Sequence, residues 1–466
     1  SRFLAQSIFK EACKGRRSGA LQRVHGNDYG CPRACNRGLR EIACHGNVLL
    51  KAGMPMNNLS IDPERLWATL MASAEIGRTE RGGLRRLTLS DEDKAMRDLF
   101  AKWVKEDGYS LTIDQLGNMF VRRRGRDDSL PPVLIGSHLD TQAKGGRFDG
   151  ILGVLAGLEV LRTLDRAGIE TRRPIELVNW TNEEGARFQP PLMCSLVFSG
   201  GESVAWAYDR RDKDGLRFGD ELKRIGYLGE APVGGRPLDS YFELHIEQGP
   251  KLDEAGIPVG VVTGGYQMKG MRILVRGETA HVGPTPMHHR QNALVGASHL
   301  AVAIDDIGWR YAPEDGKTTV ARLDLAPNLP GIISDEAQLY IDFRHPSPER
   351  LRDMEEEVRA AVQEAARRSR TTIEIAEEWG FGGLEFDRGL AELVRSTARR
   401  LGIPFMDIRS QAGHDAYHVA KVCPTIMIFT PCKTGITHNE REDIDLKDTV
   451  PGVNVLLHAV LERANA

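Results

Sequence analysis

A histidine and two acids follow closely on the apolar run Val133-Leu134-Ile135. The chain reads Gly136-Ser137-His138-Leu139-Asp140, and Asp149 comes eleven residues after His138, inside Gly145-Gly146-Arg147-Phe148-Asp149-Gly150. An imidazole plus a carboxylate suits a divalent metal such as zinc, and a carboxylate has two oxygens with which to bridge two metals. Glycine on both sides permits the tight backbone that leaves the carboxylate free to point into a cleft. Donors of the same kind recur downstream as Glu183-Glu184, His245 and His438. Taken singly, each has a bland reading as a satisfied polar residue at a strand end or a solvated acid. Together they form the set that two metals sharing a bridging carboxylate need: a histidine on each side, one further acid and a third histidine. Glu183 and Glu184 are adjacent and cannot both point the same way along an extended chain. One can ligate while the other takes a proton from water, whose pKa a divalent metal depresses.

Such residues need strand ends to hold them. Val133-Leu134-Ile135 has the continuous apolar character of a strand buried on both faces, and open α/β sheets put their ligands at the C-terminal ends of such strands. Leu152 to Leu164 predicts a small-residue helix that can lie close on a sheet, and Pro174 to Trp180 predicts the next strand, ending at Glu183-Glu184. Strand, helix, strand with polar residues at both strand ends is the logic of a largely parallel sheet. Tyr241 to Gly249 reads as another strand, carrying His245. From about Gly264 the texture changes: Met271 to Glu278 alternates with period two, a helix spans about Arg290 to Ile307, a strand ends at Arg344, and a charged amphipathic helix runs from Pro348 to Arg370. The expected fold is therefore α/β, a mostly parallel catalytic domain (residues 56–265 and 377–466) interrupted by an antiparallel α+β domain at 266–376. The catalytic domain resumes with the buried strand Pro424 to Phe429 and ends on the loop that carries His438.

Composition narrows the function classes. The 466 residues are 41% hydrophobic and 27% charged, with a net charge of −3, which describes an ordinary globular protein and argues against a general nucleic-acid binder. No apolar run reaches the length of a membrane span, and the seven scattered cysteines fit a reducing cytoplasm better than a disulfide framework. Residues 1–55 are basic and irregular. Cys31, Cys35, Cys44 and His45 there match no strong zinc template, so an extension outside the working fold, poorly ordered or upstream of the natural start, is expected. A dinucleotide-binding reading fails because GGRFDG lacks the G-x-G-x-x-G spacing.

Eight blocks in order, GSHLDT, GGRFDG, NEEGARF, HIEQGP, GETAHVGPTPM, DFRHP, AGHDA and GITHNE, resemble the hydantoinase/carbamoylase amidases, a family of dinuclear zinc aminoacylases and peptidases. The resemblance runs from about residue 56 to the end. It implies that His138 and His245 ligate one metal and Glu184 and His438 the other, with Asp149 bridging. It also implies that Glu183 is the general base and that Asp140 orients His138. Two divalent ions per subunit are implied, zinc first, with manganese, cobalt or nickel also suited to these ligands. The inserted domain serves as lid and homodimer interface in such enzymes. His281 would reach a neighbouring active site to stabilise an oxyanion, and Arg344 would clamp the substrate carboxylate. Gln248, Gln267 and Gly413 are further candidate substrate contacts. The sequence departs from the family where Gly331 stands in place of an expected asparagine, and Gln267 aligns with an expected glutamine only after a one-residue shift. The implied activity is hydrolysis of the linear amide of an N-carbamoyl-L-amino acid. Allantoate, ureidoglycolate, β-ureidopropionate or an N-acyl amino acid are alternative substrates. A catalytically silent binding relative would have lost a ligand or the base, and none is lost.

Overall fold

The computed structural model describes residues 59–466; the cysteine-bearing stretch at 1–55 lies outside them. Twelve strands are found among the described residues: β1 Ser110–Ile113, β2 Met119–Arg123, β3 Val133–His138, β4 Ile175–Trp180, β5 Ser240–Ile246, β6 Val259–Gly265, β7 Gln267–Arg276, β8 Lys317–Ala326, β9 Glu336–His345, β10 Thr372–Gly382, β11 Phe405–Ser410 and β12 Thr425–Thr430. They form an eight-stranded sheet in the order β1-β2-β4-β3-β5-β12-β6-β11 and a four-stranded sheet in the order β10-β7-β9-β8.

In the larger sheet β4, β3, β5 and β12 run parallel. Antiparallel pairs β2–β4 and β12–β6 flank them. Every residue of β3, β4, β5 and β12 is buried, as strands covered on both faces must be. The helix Ile151–Arg166 covers β3, β4 and β5, and its glycines set how closely it lies. A Cβ at Gly153 would collide with the Leu244 carbonyl and the Ser137 side chain. From β3 the chain crosses to β4 on one side and then to β5 on the other. The strand order thus reverses beside β3, and such switch points open a crevice at the strand C-termini.

The smaller sheet is antiparallel throughout. Along β9 buried residues alternate with more exposed ones, so only one face is covered. That face packs on the helices Ala293–Tyr311 and Pro348–Ser369 around a core of its own, which includes Ile273, Leu300, Leu339, Ile341 and Val358. The chain leaves the larger sheet at Gly265 and returns at Gly382-Gly383, where two glycines take positive φ and Gly383 N–H bonds to the Tyr266 carbonyl.

Three boundaries differ from the sequence expectation. The antiparallel domain expected to end at 376 continues to Gly382, because β10 pairs with β7 along its whole length. The helix expected from Arg290 starts at Ala293, because Asn292 caps it by accepting from Leu294 N–H and Val295 N–H. The strand expected to run to Gly249 stops at Ile246, because Gln248 adopts a left-handed backbone, φ 59°. Among the described residues no helix is long and apolar enough to cross a membrane.

Candidate metal centre

His138 is the last residue of β3 and His245 the penultimate residue of the adjacent β5. Each ring is fixed from behind by a carbonyl: His138 Nδ1 donates to Asp140 O at 3.0 Å, and His245 Nδ1 to Ile246 O at 2.9 Å. With Nδ1 donating, Nε2 is the nitrogen that faces the cleft, and it offers a lone pair once the ring is neutral. Asp149 lies in the turn that opens the helix Ile151–Arg166. Gly150 beside it has φ 70°, and a Cβ there would collide with the His138 imidazole. Only glycine meets both demands. Glu183 and Glu184 follow β4, and His438 lies on the loop beyond β12 with φ 50°, a left-handed conformation that costs about 1–3 kcal/mol for a non-glycine residue.

The two oxygens of Asp149 are shared out. Oδ1 lies 3.2 Å from His245 Nε2, and Oδ2 lies 3.2 Å from His438 Nε2. Glu184 Oε2 is 3.3 Å from His438 Nε2, and Glu183 Oε2 is 3.6 Å from His138 Nε2. His138, Asp149 and His245 form one triad whose ligand atoms lie within 4.8 Å of one another; Asp149, Glu184 and His438 form a second on the same criterion. The triads share Asp149, which is the arrangement the resemblance implies. A third buried group, Glu243, His245 and His414, reads as structural: the Glu243 oxygens accept from Ser137 Oγ, Tyr241 OH and Ala416 N–H.

The charges here are in conflict. Burial, together with the neighbouring carboxylates of Asp415, Glu184 and Asp149, pushes Glu183 well above the ordinary carboxylate range. Burial and Asp149 raise Glu184 to about 8. Asp149 is held well below its usual value against the cost of burial, because His245 and His438 bond to it. Those two rings are raised in turn to about 9, although burial opposes their charge. Burial, helped by the neighbouring His245 and His438 and opposed by Asp149, lowers His138 to about 4. Converging carboxylates and imidazoles, buried except for the half-exposed His438, are what a pair of divalent cations relieves, so the residues present fit such a centre.

Asp140 acts differently from the expectation. Its backbone carbonyl, not its side chain, accepts from His138; the carboxylate lies 3.8 Å away. That carboxylate accepts from Thr88 Oγ at 2.7 Å and from the N–H groups of Glu183 and Glu184 at 3.4 Å, so it shapes the turn that presents the two glutamates.

Other supporting residues escaped sequence reasoning. Gln142 donates to both oxygens of Glu184. Buried Glu442 accepts from Phe148 N–H and Asp149 N–H, and from Thr437 Oγ. Thr437 belongs to the GITHNE block, but nothing in residue type or periodicity singles out Glu442 among the acids after His438.

On the substrate side, a cavity of about 230 Å³ is lined by Glu247, Gln248, Arg344, Arg409, Gln411 and His438, among others. Gln248 donates to both oxygens of Asp149. Arg344, on β9, reaches this cavity with its guanidinium held by Asp342 at 2.7 and 2.9 Å and by the Gln411 carbonyl at 2.6 Å. Gln267 does not line it. It opens β7, paired with His345 and Gly382. Gly413 abuts Phe381 and Leu192, and its neighbours Gln411 and Ala412 line the cavity instead. His281 is exposed and belongs to neither triad; it bridges to Ile332 beside Gly331, whose φ is 91°. A larger cavity of about 610 Å³, around Leu59, Leu401 and Val450, shares no residue with the centre and has Lys447 as its one charged lining residue.

The profile of peptidase family M20/M25/M40 matches residues 134–462. An N-carbamoyl-L-amino-acid amidohydrolase of Rhizobium meliloti is 42% identical over 410 residues, 88% of this chain and 98% of that one. A ureidoglycolate hydrolase of Oryza sativa subsp. japonica is 31% identical, over 80% of this chain and 79% of its own. The crystal structure of an amidase of the hydantoinase/carbamoylase family from Burkholderia vietnamiensis superposes with a TM-score of 0.83 at 45% identity, covering 88% of this chain and 99% of that one. Residues 134–462 take in the whole smaller sheet and all the centre's candidate ligands. The chain belongs to peptidase family M20/M25/M40 and, within it, to the hydantoinase/carbamoylase amidases.

Proposed function

We propose that the protein hydrolyses the linear C–N bond of an N-carbamoyl-L-amino acid, freeing the amino acid with carbon dioxide and ammonia. The observation that carries this reading is the pair of triads sharing Asp149, beside a small cavity that Arg344 lines. Two divalent cations held by His138, His245, Asp149, Glu184 and His438, zinc first and manganese, cobalt or nickel after it, would polarise the ureido carbonyl and lower the pKa of the attacking water. Glu183 takes the proton from that water and delivers it to the departing amino nitrogen, as a carboxyl with a raised pKa is suited to do. The bond between carbonyl carbon and amino nitrogen breaks, and the carbamic acid left behind falls apart to carbon dioxide and ammonia. Arg344, its plane fixed by Asp342, presents its remaining N–H groups to the substrate carboxylate. Gln248, and the backbone around Gly413, complete the contacts.

His281 completes the site from a second subunit. It stands on an exposed edge with the exposed apolar side chains Val282, Leu329 and Ile332. The nearby helix Ala293–Tyr311 exposes Val295, Val302 and Trp309 at seven-residue spacing, a single stripe, and β8 leaves a free sheet edge. A homodimer that covers this face would account for both. Light scattering on the wild type and on Trp309→Glu tests it: a dimer that the substitution splits is expected, and a monomeric wild type would overturn it.

Ureidoglycolate hydrolases among the relatives favour a second reading, a ureido acid such as allantoate or ureidoglycolate. Ammonia release from N-carbamoyl-L-amino acids, allantoate and ureidoglycolate separates the two. Metal-stripped enzyme given back each metal in turn is the sample, with Glu183→Gln as control. Turnover of a carbamoyl amino acid that vanishes in Glu183→Gln is expected. Silence on every ureido substrate by folded, metal-loaded enzyme would overturn both readings.

A further inference from the structure

Two guanidiniums line one small cavity. Arg344 comes from β9 of the smaller sheet, and Arg409 comes from β11, the edge strand of the larger one. Their engagements differ. Arg344 is gripped through two N–H groups by Asp342 and through a third by the Gln411 carbonyl. Arg409 donates to Glu385 at 2.5 Å and to the Gly265 carbonyl at 3.0 Å, and its Nε is buried with no partner. The Glu385 side chain is 60% exposed, so water competes for it and the pair holds Arg409 weakly. Glu247, the one carboxylate in the lining, is already engaged: its oxygens accept Lys251 N–H and Leu252 N–H at the start of a short helix. The cavity thus holds two guanidiniums where a single substrate carboxylate needs one, and Arg409 is the more loosely held of the two. At about 230 Å³ it falls below the roughly 300–1,000 Å³ of drug-sized sites, which suits a compact ligand.

We propose that Arg409 is a specificity-determining residue that binds a second carboxylate, on the substrate's side chain, so that the preferred substrates are N-carbamoyl derivatives of acidic amino acids. This rests on the carbamoyl reading above and extends it. Arg344 takes the α-carboxylate and Arg409 the side-chain carboxylate, each guanidinium matching a carboxylate in the two-pronged geometry that favours arginine over lysine.

The test compares N-carbamoyl-L-aspartate with N-carbamoyl-L-asparagine, and the glutamate derivative with the glutamine one, pairs that differ in charge and hardly in shape. Wild-type kcat/KM is expected to favour the acidic member by about tenfold or more, the scale of one charge-assisted hydrogen bond, mostly through KM. Arg409→Gln brings the ratio towards one, Arg409→Lys retains part of it, and Glu385→Gln, which releases Arg409, raises it. A wild-type ratio at or below one, or a ratio that Arg409→Gln leaves in place, overturns the proposal; the latter is expected if both arginines grip one carboxylate. Calorimetric binding of the same pairs to metal-loaded Glu183→Gln reads the charge preference without turnover. Failure of the carbamoylase reading shows as silence in the assay, and failure of this proposal shows as equal binding within each pair.

Discussion

The two sheets divide the work in a way that their burial patterns already express. The parallel strands of the larger sheet are covered on both faces, and they end in His138, His245 and the Glu183-Glu184 turn. The smaller sheet is covered on one face, and it contributes Arg344 to the same cavity from β9. A doubly buried sheet is the more rigid platform, and ligand atoms that must converge within a few tenths of an ångström belong on it. A contact that only grips a carboxylate tolerates more play, and such contacts come from outside the buried parallel strands: Arg344 from the smaller sheet and Arg409 from the edge strand β11. Substitutions among the groups at the ends of the buried parallel strands should therefore cost rate, and substitution of Arg344 on the smaller sheet should cost affinity.

The largest effect expected is at Glu183. Replacement by glutamine removes the base but keeps the shape, and should lower kcat by about 10²–10⁴-fold with little change in KM. Stability should move the other way. Glu183 has a folded-state pKa raised above the unfolded value, so its ionised form is disfavoured in the folded chain at neutral pH. A neutral side chain should leave the melting temperature of the metal-free protein equal or higher. A large drop in melting temperature together with the loss of rate would assign Glu183 to the scaffold and break the division.

Next in size is the core of the smaller sheet. Leu339 is fully buried in a cluster separate from that of the larger sheet. Leu339→Ala should cost about 2–5 kcal/mol, and because the two cores are separate the loss should fall on one of two calorimetric transitions. A single transition that shifts as a whole would mean the sheets unfold as one unit.

How much of this was legible in the sequence follows the same line. Buried parallel strands announce themselves as apolar runs, so β3, β4 and β12 could be read directly, together with the histidines and acids at or beyond their ends. What could not be read depends on contacts made far along the chain. Glu442 reaches the Asp149 turn across 293 residues, and Gln248 reaches Asp149 across 99. No local pattern encodes either. Arg409 was missed because an arginine on a short edge strand looks like any solvated charge until the smaller sheet is laid against it. Asp140 was placed correctly beside His138, but a sequence does not distinguish a carbonyl contact from a carboxylate one. Gln267 enters only through the resemblance and a one-residue shift; in the structure it opens β7 opposite His345 and is not among the residues lining the cavity.

Arg344 sharpens the division from the other side. Arg344→Met removes hydrogen bonds to a charged group worth about 1.5–3 kcal/mol, which is roughly a ten- to hundredfold loss in kcat/KM. The loss should appear in KM, and substrates that lack a carboxylate should feel little of it. A fall confined to kcat would place Arg344 at the reacting carbonyl.

The last effect is graded with pH, and it needs no mutation. In the metal-free protein His245 and His438 are raised to about 9, despite burial, by their bonds to Asp149. Both are above the unfolded value of about 6.5, so the stability they contribute is fully present below that pH and is lost as pH rises through 9. Metal needs the same rings neutral, so its affinity should run opposite, rising from pH 7 to 9 by up to about tenfold per unit for each proton displaced. Glu184, raised to about 8 by burial and by Asp149, adds to the protons displaced, whereas His138, already lowered to about 4, adds none. Calorimetric titration of zinc or manganese in buffers of different ionisation heat should count about two or more protons released per subunit at pH 7 and fewer as the pH approaches 9. Arg344 keeps its charge throughout this range, so its grip on a substrate carboxylate should not vary with pH between 7 and 9. A KM that tracks the metal titration would show that the two sheets do not act separately, and that the carboxylate clamp forms only once the metal centre is filled.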